Sequence, residues 1–139
     1  MSRLRKVLYP DVFNGKYILT HWDFEDDLKG ILERSGRKAD FWGKYKQRLR
    51  FLDERRTRCI QRSNWFEDLK HTEELYSMLF DRNEKNIRIL FCFITYQKVQ
   101  HALLLYAFEE KDNKKGSRYS YKKGIPVALK RLEEVMQDG

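Results

Sequence analysis

NIRILFCFIT (residues 86–95) and KVQHALLLYAFEEK (residues 98–111) are two apolar runs, rich in β-branched and aromatic residues, that meet at the polar break Tyr96-Gln97-Lys98. Each is too short for a membrane span, which needs about 20 apolar residues, and each carries polar groups that lipid does not tolerate. The pattern predicts a hairpin of two central strands. Strand alternation sends Ile87, Ile89, Phe91 and Phe93 to one face and Arg88, Leu90, Cys92 and Ile94 to the other. Apolar residues on both faces require cover on both sides. Arg88 breaks the pattern. A guanidinium at the start of a largely buried strand needs an anionic partner or an exposed rim. Its planar fork suits either a carboxylate of this chain or a phosphate from outside it.

Working outward, the 139 residues are enough for one domain with its own core, without metal or disulfides. Lys and Arg number 29 against 21 Asp and Glu, a net charge of +8. The pI near 9.5 points to an acidic partner, with nucleic acid ahead of an acidic protein. Cys59 and Cys92 are far apart and form no metal-binding spacing, which suits a reducing, cytoplasmic setting. Positive charge at the N-terminus has no apolar run behind it, so no secretory signal is expected.

Upstream, residues 1–15 read as an irregular lead-in, closed by the Pro10-Asp11 and Asn14-Gly15 turn signals. YILTHW (residues 17–22) predicts a first strand. Asp23 is a candidate N-cap for a helix with Phe24, Leu28, Ile31 and Leu32 at helical spacing, stopped at Ser35-Gly36. A second helix is expected over residues 40–59, its apolar stripe Phe41, Trp42, Tyr45, Leu49 and Leu52. Its outer face holds Lys44, Lys46, Arg48, Arg50, Arg55, Arg56 and Arg58. Residues 75–80 read as another strand and 81–85 as a charged turn. Residues 111–123 read as a loop, and a last helix is expected over 124–137, with Pro126 in its first turn. The fold class predicted is α+β: an N-terminal strand and helix hairpin, a three-stranded antiparallel sheet, and a C-terminal helix.

The loop is the most informative polar stretch, with six Lys or Arg against one Asp. Basic groups fix phosphates, and the interleaved tyrosines can stack on bases or move protons. His21, His71 and His101 form no zinc pattern and have no nucleophile at a recognisable motif, so metal and triad chemistry are not expected. The same residues read as solvated surface in a protein without a ligand.

Four motifs then fall into a familiar order: Phe66, Leu69, Lys70, Thr72, Leu75 and Tyr76; Arg88-Ile89-Leu90-Phe91 with Phe93; Phe108 with Lys111; and Ile125, Ala128 and Arg131. Over roughly residues 65–135 the chain resembles the RelE/HigB toxins of type II toxin–antitoxin systems, in their phage-derived branch. The resemblance implies a RelE-like fold and a cytoplasmic, cofactor-free endoribonuclease that cuts mRNA on the ribosome. It implies attack of the ribose 2′-hydroxyl on the adjacent phosphate without a metal. Arg88, Lys111, Arg118 and Tyr121 would be the catalytic residues. Lys114, Lys115, Tyr119, Lys122 and Lys123 would hold RNA, with Arg55, Arg56 and Arg58 as a second patch. A cognate antitoxin, a helix-turn-helix protein with an acidic segment, would cover these basic surfaces. DNA contact would come only through the antitoxin, and no membrane is involved. The chain departs from the family pattern where Leu79-Phe80 replaces an arginine, where F-x-K-K becomes Phe108-Glu109-Glu110-Lys111, and in a longer loop. The alternatives are a ParE-like toxin acting on gyrase without a nuclease centre and a non-enzymatic RNA-binding module.

Overall fold

The two apolar runs form the centre of a five-stranded sheet in the computed structural model of the chain. It describes residues 3–72, 74–80, 86–110 and 114–138, with the backbone alone at 114, 115, 117 and 119. Strands β4 (Ile87–Tyr96) and β5 (Val99–Glu109) pair antiparallel along their whole length. The two-residue turn between them puts Gln97 and Lys98 at φ 50° and 69°. That conformation suits the twist of a hairpin, although neither residue is the usual Asn or Gly.

Both faces of this pair are covered, as the alternation predicts. On one side Ile87, Ile89, Phe91, Ala102 and Leu104 pack under helices α1 (Phe24–Ser35) and α2 (Lys38–Arg55). On the other, Leu90, Cys92, Leu103 and Leu105 meet Ala128, Leu132 and Val135 of helix α3 (Lys114–Gln137). Each fully buried Leu, Ile or Phe contributes roughly 2 kcal/mol through its removal from water, so the hairpin and its two covers are the main reservoir of stability. One register shift lies opposite Leu90 and Phe91, whose partners are Tyr106 and Leu104. Leu105 is the extra residue of this bulge, and its carbonyl accepts from Arg131 Nη1 at 2.9 Å. Arg131 also pairs with Asp27, tying α3 to α1.

The sheet is wider than three strands. Strand β3 (Tyr76–Leu79) pairs antiparallel with β4, and β2 (Phe66–Asp68) continues the sheet beyond it. Strand β1 (Ile18–Thr20) joins the opposite edge, parallel to β5. The lead-in is held down as well: Arg5 bridges Thr20, and the amides of Leu8 and Tyr9 both donate to Glu25 at 2.9 Å. Asp23 precedes α1, but its side chain makes no capping bond.

Three expectations are corrected. Helix α2 ends at Arg55, and residues 56–61 form a 3-10 helix instead. Arg48 is buried, not on the outer face: its Nε donates to the Leu79 carbonyl at 2.7 Å and its guanidinium lies over Trp65 and Phe80. More consequential for function, residues 114–123 are the first turns of α3 and not a loop. Gly124 and Pro126 read as a boundary but sit inside this helix. Gly124 is there because α3 runs against Phe108, where a Cβ would come within 3.0 Å of the ring. Contacts on either side carry the helix through the proline, whose missing N–H would otherwise break it. The charged turn read at 81–85 lies outside the described residues.

His21, at the end of β1, is wholly buried. Its Nδ1 accepts from the Asp23 amide at 3.0 Å and its Nε2 contacts Glu134 at 3.1 Å, an arrangement that suits the neutral ring. Burial lowers its pKa, outweighing the hydrogen bond and charge of Glu134. The unfolded chain therefore binds this proton more readily, and stability falls as pH drops below about 6.5. Urea midpoints measured from pH 7.5 to 5 should decline, and His21→Gln, which still donates to Glu134 but cannot titrate, should flatten that decline. An equal slope in both proteins would assign the acid sensitivity elsewhere.

Candidate active site

Arg88 lies at the end of the buried hairpin, opposite Leu79 of β3 and Phe108 of β5. Both readings of this arginine have a counterpart in its surroundings. Its Nη1 donates to the Phe80 carbonyl at 2.7 Å and the Ile87 carbonyl at 3.0 Å, and its Nε pairs with Glu110 Oε2 at 2.5 Å. The two side chains are only 15% and 13% exposed, so the pair is largely removed from water. Glu110 is the acid that replaces a lysine of the F-x-K-K pattern. Its amide donates to the Asn86 carbonyl, which fixes the end of β5 beside the start of β4.

Around this pair opens a cleft of about 750 Å³. Its wall on the α3 side is Arg118, Tyr121, Lys122, Ile125 and Pro126; across it lie Glu67, Leu69, His71 and Leu79. Three of the four residues expected to be catalytic, Arg88, Arg118 and Tyr121, thus meet in one concavity, together with Lys122. They meet because residues 114–123 are helical. Arg118, Tyr121, Lys122 and Ile125 recur at three- and four-residue intervals and share one helix face. Lys111 lies outside the described residues. Lys114, Lys115 and Tyr119 lie in the first turns of α3, and Lys123 is exposed on it without lining the cleft. Arg55, Arg56 and Arg58 do not line it either.

Tyr121 is set from two sides. Its hydroxyl is 2.9 Å from Ser77 Oγ, and its ring stands edge-on to Phe108. Burial pushes its pKa up to about 12, against the Ser77 hydrogen bond and the Arg88 charge that pull it down. Tyr121 is therefore not a base at neutral pH. It stays protonated, and suits donation of a hydrogen bond or a proton.

Sequence reasoning missed Glu67 and His71 as cleft residues. Glu67 lies on β2 and His71 in the β2–β3 connection, where Thr72 Oγ1 donates to the Leu69 carbonyl at 2.7 Å and accepts from the Leu75 amide at 3.0 Å. That hydroxyl bridge builds the turn carrying His71. The Lys70-x-Thr72 spacing is the one signal that could have located it. A second concavity, of about 720 Å³, lies where β4 runs on past β3. Its charged lining is Glu74 and Glu133, with Leu129 and Met136 beside them, so it does not suit a polyanion. Among the described residues no three His, Cys, Asp or Glu side chains converge on a metal position, and no helix is long and apolar enough to cross a membrane. No protein-family model, curated protein or solved structure matches the chain.

Removing one member of the Arg88–Glu110 pair takes a largely buried ion pair from the end of the hairpin. Arg88→Ala should cost about 2–3 kcal/mol in urea unfolding, and adding Glu110→Ala should return part of that loss. A double-mutant cycle with no coupling would mean that the pair is dispensable to the fold.

Proposed function

We propose that this chain is the toxin of a type II toxin–antitoxin pair, a metal-independent endoribonuclease of RelE/HigB type that cuts mRNA on the ribosome in the cytoplasm. What carries the reading is the convergence of Arg88, Arg118 and Tyr121, far apart in sequence and named by the family resemblance, on one cleft with cationic and proton-handling groups. Other matched positions also have roles that fit a RelE-like domain. Thr72 builds the β2–β3 turn, Ile125 lines the cleft, and Arg131 caps the β5 bulge.

In this mechanism a nonbridging phosphate oxygen lies against Arg88 and Arg118, whose charges stabilise the phosphorane as it forms. The 2′-oxygen attacks phosphorus and the bond to the 5′-oxygen breaks, leaving a 2′,3′-cyclic phosphate and a 5′-hydroxyl. Tyr121, held protonated, gives its proton to the leaving 5′-oxygen. The 2′-hydroxyl proton then goes to His71 or Glu67, because an imidazole or a carboxylate is the ordinary acceptor for it. Phosphate binding requires Arg88 to exchange Glu110 for the substrate anion.

The Arg88–Glu110 pair is also the observation favouring a second reading, a ParE-like toxin that acts on gyrase and has no nuclease centre. Induction separates the two: mRNA is degraded in the first case, whereas replication stalls over intact mRNA in the second. The partner is a cognate helix-turn-helix antitoxin whose acidic segment covers residues 111–123 and Arg55, Arg56 and Arg58. DNA is reached only through it.

Purified protein should cut a reporter mRNA on programmed ribosomes and leave cyclic-phosphate ends. Protein treated with EDTA and freed of the chelator before it meets the ribosomes should cut at the same rate. Arg118→Ala should lower the rate about 100-fold, equivalent to roughly 3 kcal/mol of transition-state stabilisation, and Tyr121→Phe at least tenfold. Loss of activity after that treatment, or full activity in both variants, would move the chemistry elsewhere.

The association rate with the antitoxin should fall steeply between about 50 and 500 mM salt, since screening shortens the reach of the basic surface. An on-rate indifferent to salt, measured by stopped flow, would remove the electrostatic account of that complex.

A further inference from the structure

On the side of the sheet covered by α1 and α2, residues 42–65 hold eight Lys and Arg against two acids, interleaved with four aromatic residues. Of the acids, Asp53 is occupied, accepting from the backbone amides of Lys16 and Tyr17. The aromatic and cationic side chains form one connected row. Arg62 stacks on Trp65 with its guanidinium 3.7 Å from the ring centroid, and Arg48 lies 4.8 Å from the same ring. Trp65 meets Phe51 edge-on, and Arg55 lies 5.1 Å from the Phe51 ring. Arg50, Arg55, Arg58 and Arg62 are exposed, and among the described residues none has a carboxylate within ion-pair distance.

Arg55 and Arg62, unneutralised and lying over half-exposed rings, differ from an ordinary solvated face. Stacking fixes the guanidinium planes before any ligand arrives, while the N–H edges stay free for phosphate oxygens. Rings and guanidinium planes also offer platforms on which unpaired bases stack, which a rigid duplex cannot use. The row leads toward the cleft. Arg48 grips the Leu79 carbonyl and Arg88 grips the next one, that of Phe80.

We infer that the Arg55–Phe51–Arg62–Trp65 row is a binding track for single-stranded RNA, holding the part of the strand that lies outside the cleft. The inference rests on the proposed nuclease only for the identity of the strand, and binding is measured apart from cleavage.

The probe is a fluorescein-labelled 2′-O-methyl oligonucleotide of mixed sequence, which lacks the attacking hydroxyl. Fluorescence anisotropy should give affinity at least tenfold weaker for the triple variant Arg55→Ala, Arg58→Ala, Arg62→Ala. The slope of log affinity against log salt should shrink by about 2, at roughly 0.7 for each phosphate of a single strand that is no longer neutralised. A perfect duplex of equal length should bind more weakly than the single strand. Arg62→Lys should keep the salt slope yet lose affinity severalfold, because lysine does not stack as a plane. Unchanged affinity in the triple variant, with its melting curve intact, would overturn the inference. So would equal affinity for an abasic oligonucleotide of the same length and charge, since the rings would then contribute nothing to holding the strand. Binding through these arginines by a protein that cuts nothing would uphold the track and remove only the nuclease reading.

Discussion

Burial of β4 and β5 on both faces is the constraint from which the rest of the architecture follows. A two-stranded ribbon with apolar residues on both sides has no stable place in water, so one layer must come from each direction. Helices α1 and α2 supply one and α3 the other. The cleft lies where this double cover ends. At the Arg88 end of β4 the apolar alternation gives way to a cation, and the surrounding groups compensate it with Glu110 and two backbone carbonyls. A concavity beside an incompletely covered strand end is also where a ligand can reach strand residues without opening the core.

The sequence was most legible where local pattern and tertiary burial agree. Alternating apolar residues in 86–109 predict both strands and both faces, and helical spacing from Phe24 to Leu52 predicts the two-helix layer. It was least legible where a long-range contact overrides a local signal. Three residues of β1 pair in parallel with a strand about 80 positions away, and only the finished sheet supplies their partners. Strand β2 is three residues with Glu and Asp in it, below any periodicity. Gly124 and Pro126 are ordinary stop signals, yet close packing on Phe108 and the Tyr121–Ser77 contact hold α3 together on either side of them.

The site was half legible for the same reason. Arg88, Arg118 and Tyr121 could be singled out by type and by resemblance, but their meeting depends on the helical state of residues 114–123. For His71 the Lys70-x-Thr72 spacing was the one local sign, and its meaning depends on the turn that the Thr72 hydroxyl sets. Glu110 was visible as a departure from the F-x-K-K pattern. Its significance required the fold, which brings this carboxylate against the Arg88 guanidinium at the end of the buried hairpin.

Glu110 and Tyr121 together narrow the chemistry available to the cleft. Burial that raises the tyrosine also excludes water around Arg88, so an arriving phosphate would meet a guanidinium with few competing hydration contacts. The same poor hydration makes a lone Arg88 costly in the absence of substrate. A carboxylate that occupies the guanidinium until a phosphate replaces it resolves both demands: the cation is never unpaired, and the exchange trades one anion for another. The energetic cost of that exchange lies in breaking the Arg88–Glu110 pair, which rehydration of the carboxylate offsets. It is least if the carboxylate can turn toward the open mouth of the cleft, where Arg118 and Lys122 supply cations on the facing helix. In the proposed nuclease an arginine so arranged would favour ligands that carry their charge deep into the cleft, as a phosphodiester does when the bases on either side of it are held elsewhere.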